Sequence, residues 1–463
     1  MKQSLLKTNH NYLNIAYIAI LLLHITLSNY IFDTYTIDRI LVMLYMLFSI
    51  LYLLLFNPKI AFRTNLLKSF LVILFIYTLI QSFTSPYINS SFEIKQQQFI
   101  SITFLIYIIY YQIHKTDTYS TGDFLHLILV LSYMIFTVII IDYALSISST
   151  DEYTLTQSIH KYFKNVRVLN HLQTIMIPSL MLYFLDKKNI LYESAAIFAI
   201  LLHFLFVLYT GGRGTLYSVE AVILFVFISN YKNEQSRHIF YMVQSLLIFA
   251  VLIYYFIPHG GSSTHITEVS SSGRMLIYKT VIPYIVDLKY SFTAVGFSSV
   301  DIAVTHFLHP HNIFLYIFLG SGTVGLVSFI IFMIYIIIKI LKHYFKNNNL
   351  TTKYLLMIFF APLIHSFVSG IYITPLTALL FIYFLIVFLK DYMPNTDKVI
   401  HKKYIAYINM ALITIISVCG LISIKDNLLI KSRYQYESKE KKRLYHPGVM
   451  LYSDKIFKEK KDT

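Results

Sequence analysis

The sequence predicts an all-α polytopic integral membrane protein with about 12–13 transmembrane helices. Hydrophobic residues make up 57% of the 463 residues and charged residues only 13%, whereas about a quarter of a soluble domain is charged. Apolar runs of about 18 or more residues recur along the chain, and such runs cross the hydrocarbon core of a bilayer as helices. The runs are too long for barrel strands, so helices must satisfy the backbone hydrogen bonds.

The apolar runs place the helices in order. The first is expected to be retained as a helix, because it is long and lacks the small-residue cleavage pattern of a signal peptide. The tenth is long, and Gly320 and Gly322 predict a break that makes its start a short interfacial or re-entrant piece. The predicted spans are 12–32, 39–56, 66–84, 98–114, 122–146, 172–186, 190–210, 215–230, 238–257, 312–341, 354–370, 374–390 and 404–424.

Basic residues in the connections orient these helices. With the N-terminus inside, the inner connections hold 18 Lys and Arg and the outer ones 9, and an excess of basic residues marks the cytoplasmic side. Three loops then lie outside, at 147–171, 211–214 and 258–311. We expect residues 1–424 to form one transmembrane domain. The basic tail 425–463 falls on the outer side, which opposes the charge rule.

Composition excludes several classes of function. The net charge of +15 does not indicate nucleic-acid binding, because the basic residues are scattered over short connections rather than gathered on one face. We expect them to orient the chain and contact membrane lipids. The single cysteine, Cys419, cannot form an intrachain disulfide. No metal-ligand spacing, Walker loop, nucleophile elbow or dinucleotide fingerprint is present, so we expect no metal and no cofactor.

The longest outer loop ends in His309-Pro310-His311-Asn312. Asn312 is a suitable N-cap for the tenth span, which leaves His311 at the outer membrane surface. A neutral imidazole, with a reference pKa of about 6.5, is a suitable general base for a hydroxyl there. The alternative is a capping or interfacial histidine without chemistry. The same loop carries Arg274 after a stretch rich in Gly and Ser.

The short outer loop reads Gly211-Gly212-Arg213-Gly214. Glycines on both sides of an arginine let the backbone approach a ligand closely. The amides that begin the next span offer an anion site, and Arg213 adds a planar, two-pronged donor. A phosphate or diphosphate fits this arrangement. The alternative is an ordinary tight turn with an arginine that reaches the membrane surface.

The third outer stretch, 163–173, begins with an aromatic residue and contains Arg167 and Gln173. With Lys161 and Lys164 it forms a basic outer loop, which opposes the charge rule, so we expect another interaction to retain these residues. Binding of lipid headgroups is the alternative. Within the spans, Glu220 is expected to pair with a basic group inside the bundle, and His24, His126, His203 and His365 are expected to be packed or hydrogen-bonded.

Together these motifs resemble the O-antigen ligase superfamily, which includes lipid A–core ligases, O-antigen polymerases and bacterial protein O-oligosaccharyltransferases. The resemblance covers mainly residues 160–340. It rests on Gly-Gly-Arg-Gly at 211–214, Ser-Gly-Arg at 272–274, Gly296, His-Pro-His-Asn-x-Phe-Leu at 309–315 and Gly-x-x-Gly-Leu at 322–326. Many members carry an acidic residue just before the last motif, where this chain has Gly320 and Ser321, so the role of that carboxylate does not carry over.

The resemblance implies a glycan donor on undecaprenyl diphosphate and transfer on the periplasmic face of the bacterial inner membrane, without metal or nucleotide. It implies that His311 takes the proton of the acceptor hydroxyl and that Arg213 and Arg274 neutralise the diphosphate. Substrate binding then falls to Asn312, His309, Arg167, Gln173, Gly212 and Gly214.

The acceptor is open. The Phe-x-Asn-x-Arg-x-x-Asn-x-x-Gln pattern at 163–173 favours a pilin-like protein. A lipid A–core acceptor is the next reading and a growing glycan the third. A lipid or solute transporter is the alternative from another class, and it would carry polar residues at the midplane of paired, broken helices. Here the polar residues crowd the outer loops, which favours an enzyme.

Overall fold

In the computed structural model the chain is almost entirely helical in the part that the structure describes. The described residues are 17–23, 41–47, 50, 63–64, 76–77, 80, 103, 121–148, 153–163, 166–185, 189–256, 274–286, 294–297, 310–346, 349–392 and 398–399. Helices are numbered here from Thr121 onward. They are α1 Thr121–Ile147, α2 Leu155–Tyr162, α3 Val166–Leu180, α4 Ile190–Tyr209, α5 Arg213–Ser229, α6 Glu234–Phe256, α7 Arg274–Val286, α8 Ile313–Lys346, α9 Leu350–Ser366 and α10 Pro375–Tyr392.

The described helices have the length and composition of membrane spans. Five of them are long and apolar enough to cross a bilayer, if the 3-10 turn Met181–Leu185 is counted with α3. Large apolar side chains on α6 and α8, such as Phe249 and Ile331, point outward and are more than half exposed. An exposed apolar surface of this kind suits lipid rather than water. The chain is therefore an all-α membrane protein.

The predicted spans from 122–146 to 374–390 each coincide with a described helix, although three of the starts are shifted by four to six residues: the spans predicted to start at 172, 238 and 354 begin at Val166, Glu234 and Leu350. The span predicted at 172–186 begins earlier, at Val166, because polar side chains in its first turns are buried in the bundle rather than placed in a loop. Five predicted spans and the tail fall wholly or mostly outside the described residues. These are 12–32, 39–56, 66–84, 98–114, 404–424 and 425–463.

The chain forms two compact units. The first comprises Met1–Asp38, Thr118–Val269 and Ile337–Pro394. The second comprises Arg39–Asp117, Ser270–Ile336 and Asn395–Thr463. Helix α8 contributes residues to both.

Helix α3 is the centre of the first unit. It contacts α1, α4, α5, α9 and α10, and all of its residues from Val168 to Leu180 are buried. Pro178 lies within α3 and cannot donate a backbone hydrogen bond, and the chain continues as the 3-10 turn Met181–Leu185. A buried central helix can carry polar groups only if they find partners, and those of α3 are concentrated in its first turns.

The segment 147–171, predicted to be an outer loop, is not a simple loop, because it contains α2 and the start of α3. Thr154 and Gln157 begin α2 with a capping box, in which each side chain bonds the backbone of the other. Asp142 at the end of α1 accepts hydrogen bonds from Ser158 Oγ at 2.8 Å and from Tyr162 Oη at 3.2 Å, and it forms an ion pair with Lys161. The ion pair with Asp142 gives Lys161, one of the basic residues of this segment, a structural role.

The second unit contains α7, the segment 294–297 and the first part of α8. Val281, Val295, Phe318 and Leu319 form its apolar core. Helix α8 is interrupted at Gly322, whose φ of 67° and ψ of −170° are open to glycine. This agrees with the break that the sequence predicts. The second unit also contains two strands of two residues each, Arg63–Thr64 and Lys398–Val399, which pair antiparallel.

Candidate functional site

The turn between α4 and α5 presents Arg213 at one end of the first unit. Gly211 has a φ of +61°, which glycine adopts without strain. The turn is closed by hydrogen bonds from Gly212 N to Val207 O and from Arg213 N to Gly211 O, both 2.8 Å. Gly212 is the N-cap of α5 and has no side chain to cap it. The first residue of α5 is therefore Arg213, which is half-buried, at a helix terminus that favours anions.

Two polar side chains from neighbouring helices pack closely against the glycines that flank Arg213. A Cβ at Gly212 would lie 2.8 Å from Asn170 Oδ1, and a Cβ at Gly214 would lie 2.6 Å from His365 Nε2. Asn170 comes from α3 and His365 from α9. The turn is therefore held between these two side chains, and neither glycine has room for a methyl group.

A buried hydroxyl network joins these side chains to α5. Thr174 Oγ1 lies 2.7 Å from His365 Nδ1 and 3.2 Å from Thr215 Oγ1. Thr215 Oγ1 donates to Asn170 O at 2.7 Å, and Thr210 Oγ1 donates to Asn170 Oδ1 at 2.7 Å. The network fixes the beginning of α5 to the first turns of α3.

A second histidine extends the network to the start of α10. His171 Nδ1 lies 2.6 Å from Thr374 Oγ1, and His171 Nε2 lies 2.9 Å from Ser369 Oγ. The rings of His171 and His365 meet edge to face with centroids 5.2 Å apart. Both histidines are buried. The hydrogen-bonded role expected for His365 is therefore confirmed.

Gln173 lies inside the first unit, between α3 and α4. Its side chain is fully buried, and Nε2 donates to His203 O at 3.2 Å. His203 Nε2 lies 2.9 Å from Ser132 Oγ, so His203 is hydrogen-bonded, as expected. In this structure Gln173 packs against α4, and its predicted contact with substrate stays a prediction.

Arg167 lies near the same end of the first unit as Arg213. It is an exposed residue in the first turn of α3, one turn before Asn170, which contacts Gly212. Its placement agrees with a headgroup or phosphate contact. Lys164 lies outside the described residues.

The second unit holds His311 and Asn312 at the start of α8. Asn312 Oδ1 accepts hydrogen bonds from Phe314 N at 2.9 Å and from Leu315 N at 3.2 Å, so its predicted N-cap role is confirmed. His311 is buried and has a φ of 53°. Non-glycine residues seldom adopt this left-handed conformation, and where they do it often marks a functional position.

The start of α8 is held by the segment around Gly296. The carbonyl of Leu319 accepts the amides of Val295 at 2.8 Å and of Gly296 at 3.2 Å, close to the point where Gly322 interrupts the helix. A Cβ at Gly320 would overlap the ring of Phe297. Many members of the superfamily that this chain resembles carry an acidic residue at this place in the sequence. In this chain Gly320 packs against Phe297 instead.

The remaining predicted site residues are partly outside the described part of the chain. Arg274 is the first residue of α7, but its side chain is not among those described. His309 also lies outside the described residues. Within the described residues, no group of three His, Cys, Asp or Glu side chains could hold a metal ion.

Sequence reasoning missed the contacts of Asn170, Thr174 and Thr374. A signal was present, because Asn170 and His171 lie four and three residues before Thr174 in the largely apolar stretch 168–180. Polar residues at that spacing share one helix face, and buried polar faces need partners. The partner helix α9 could not be identified from spacing alone.

Comparison of the chain with family models, with curated proteins and with solved structures gives no match. The resemblance to the O-antigen ligase superfamily therefore stays a prediction from the residues quoted for it.

Proposed function

We propose that the chain is a membrane glycosyltransferase of the O-antigen ligase type. It would move a glycan from undecaprenyl diphosphate to an acceptor hydroxyl on the periplasmic face of the bacterial inner membrane. The observation that carries the proposal is the position of Arg213. It is half-buried at the N-terminus of α5, between two glycines against which polar side chains pack. A planar guanidinium beside backbone amides without a side-chain cap suits a diphosphate, because both elements attract anionic oxygens.

His311 supplies the second part of the proposal. A neutral imidazole at this position acts as the general base for the acceptor hydroxyl. Its left-handed backbone and its burial support a functional role, since a glycine would adopt the same conformation without steric cost. Asn312 fixes the backbone next to it through the N-cap.

The transfer step balances without a cofactor. His311 takes the proton as the acceptor oxygen attacks the anomeric carbon of the glycan. The bond between that carbon and the diphosphate oxygen breaks, and undecaprenyl diphosphate leaves with the electron pair. Arg213 stabilises the charge on the leaving group by charge-assisted hydrogen bonds. Arg274, Arg167 and His309 are proposed to assist in binding the donor or acceptor.

The acceptor is proposed to be a protein hydroxyl of the pilin type, with lipid A–core and then a growing glycan as the next choices. Two polar residues of the 163–173 pattern, Asn170 and Gln173, are buried against the turn and against His203. These contacts support the fold of the site, and the predicted contact of Gln173 with substrate stays a prediction. The choice among acceptors is therefore made by experiment.

A transporter is the second candidate, and one observation favours it. The hydrogen-bond partner of Glu220 on α5 is the neutral Gln244 on α6, whose Nε2 donates to it at 2.7 Å, where the sequence predicts a basic group. Its other carboxylate oxygen is buried without a hydrogen-bond partner among the described residues. An ionisable residue inside a span is expensive and often functional. A single such pair is less than the paired, broken helices of a transporter require.

Deletion of the gene in the source organism tests the function and the acceptor together. Lipopolysaccharide ladders and pilin mass are measured in the deletion strain and after complementation with wild-type protein. Loss of a glycan mass from pilin supports the protein acceptor. Loss of the ladder with unchanged pilin assigns lipid A–core, and single-repeat ladders assign a polymerase. Unchanged glycans in all assays contradict the proposal.

A further inference from the structure

We propose that His365 is a positioning residue for Arg213, holding the turn between α4 and α5 from the side of Gly214. The inference rests on the proposed function, because that function gives Arg213 a diphosphate to bind. His365 lies in the last turn of α9, far from Arg213 in the sequence, and none of the motifs that carry the resemblance includes it.

The first ground is the clamp on the turn. Asn170 closes on Gly212 and His365 closes on Gly214, one on each side of Arg213 in the chain. Both polar atoms would come within 3.0 Å of an added Cβ, a distance at which something must move. Any rotation of the turn that moves Gly214 toward α9 meets the imidazole.

The second ground is that the imidazole itself is fixed. His365 is buried, and Nδ1 lies 2.7 Å from Thr174 Oγ1. The same hydroxyl lies 3.2 Å from Thr215 Oγ1, the residue after Gly214. His365 thus reaches α5 twice, directly at Gly214 and through Thr174 at Thr215. The ring of His171 also packs edge to face on it.

These contacts preorganise the arginine. A group that binds a reacting substrate must be held within about 0.5 Å of its productive position. Arg213 is bounded by Gly212 and Gly214, which carry no side chains of their own to restrict the backbone. The restriction comes from Asn170 and His365 instead, so loss of the imidazole should leave Arg213 present but less well placed.

A spin label tests the positioning without any substrate. Arg213→Cys in the full-length protein, with the native cysteine removed by Cys419→Ser, is labelled in nanodiscs, with His365 intact and with His365→Asn. Asparagine keeps an amide near Thr174 and removes the ring atoms that face Gly214. We expect the label to become more mobile in the His365→Asn background. A label at the exposed Tyr217, one turn along α5, serves as the matched control and should not change. Equal mobility at position 213 in both backgrounds would overturn the inference.

A double-mutant cycle tests the contact through transfer activity. Gly214→Ala should lower kcat by about tenfold or more, because overpacking displaces the turn. Addition of His365→Asn gives the methyl group room, so the double variant should regain the activity of His365→Asn alone. Gly211→Ala is the control. A Cβ added at Gly211 would have no neighbour within 4 Å, although the φ of +61° there makes any substitution strained. The loss of activity in Gly211→Ala should therefore be the same whether His365 is intact or replaced by asparagine.

The outcomes separate the two proposals. Losses of Gly214→Ala and His365→Asn that simply multiply would overturn the positioning role. Full transfer by His365→Asn would also overturn it, because the contact would then not serve Arg213. If wild-type protein transfers no glycan, the proposed function fails, while label mobility at position 213 still reports on the positioning by His365.

Discussion

The imidazole of His365 occupies the space in which a side chain at Gly214 would begin, with Nε2 2.6 Å from the position of that Cβ. Asn170 has the same relation to Gly212. The sequence offers ligand approach as the reason for glycines around Arg213. The structure gives a packing reason, because two polar side chains from α3 and α9 already fill the space beside them.

Replacement of His311 tests the general base. Asparagine adopts left-handed backbone readily, so His311→Asn should leave the unfolding midpoint within a few degrees of wild type. The amide cannot take a proton at neutral pH, and we expect transfer to fall by about a hundredfold or more. Transfer is measured as glycan attached per unit time, and protein abundance in the membrane is measured alongside. His311→Ala should give the same loss, and normal activity in either variant would rule out the general-base role.

Replacement of Arg213 tests the diphosphate contact. Lysine keeps the charge but loses the two-pronged geometry, so Arg213→Lys should reduce transfer by about tenfold or more. The matched control is Arg237→Lys. Arg237 is exposed in the first turn of α6, which follows the C-terminal end of α5, whereas Arg213 is at the N-terminal end of α5. The control should keep its activity. Wild-type donor affinity in Arg213→Lys would count against a diphosphate site.

The Asp142 cluster is predicted to hold α2 on the end of α1. The ion pair and hydrogen bond with Asp142 raise the pKa of the Lys161 amine. Asp142→Asn removes the charge and should lower the free energy of unfolding by about 2 kcal/mol, with faster protease cleavage within residues 155–162. In a Lys161→Met background the same substitution should cost less. Equal costs in the two backgrounds would mean that the ion pair does not contribute.

Glu220 separates the enzyme from the transporter. Glutamine can keep a hydrogen bond to Gln244 but cannot release a proton, so a transferase should retain transfer within about twofold in Glu220→Gln. A proton-coupled transporter would lose transport in the same variant. Both activities are measured in proteoliposomes with the same preparation. Loss of transfer in Glu220→Gln at normal abundance would contradict a transfer step in which this carboxylate takes no part.

The apolar runs were sufficient to predict the described spans, because burial in a bilayer requires about 20 apolar residues whatever they contact. The Asn312 N-cap and the break near Gly322 were also predictable, since both depend on residues close in the chain. The start of α3 and the packing of polar side chains against the glycines beside Arg213 were not predictable from the sequence. They depend on Asn170 and His365, which are 195 positions apart and reach the same turn only when α3 and α9 pack together. The ion pair between Asp142 and Lys161 was missed for the same reason, because it forms only when α2 folds back on α1.

The most direct test of the proposed function is transfer by purified protein in proteoliposomes. Undecaprenyl-diphosphate-linked glycan and a hydroxyl-bearing acceptor are supplied, and both free undecaprenyl diphosphate and glycosylated acceptor are measured. The account predicts equimolar release and transfer by wild-type protein, near-complete loss in His311→Asn, and a strong reduction in Arg213→Lys. Donor turnover that is absent in wild type, or unchanged in both variants, would contradict it.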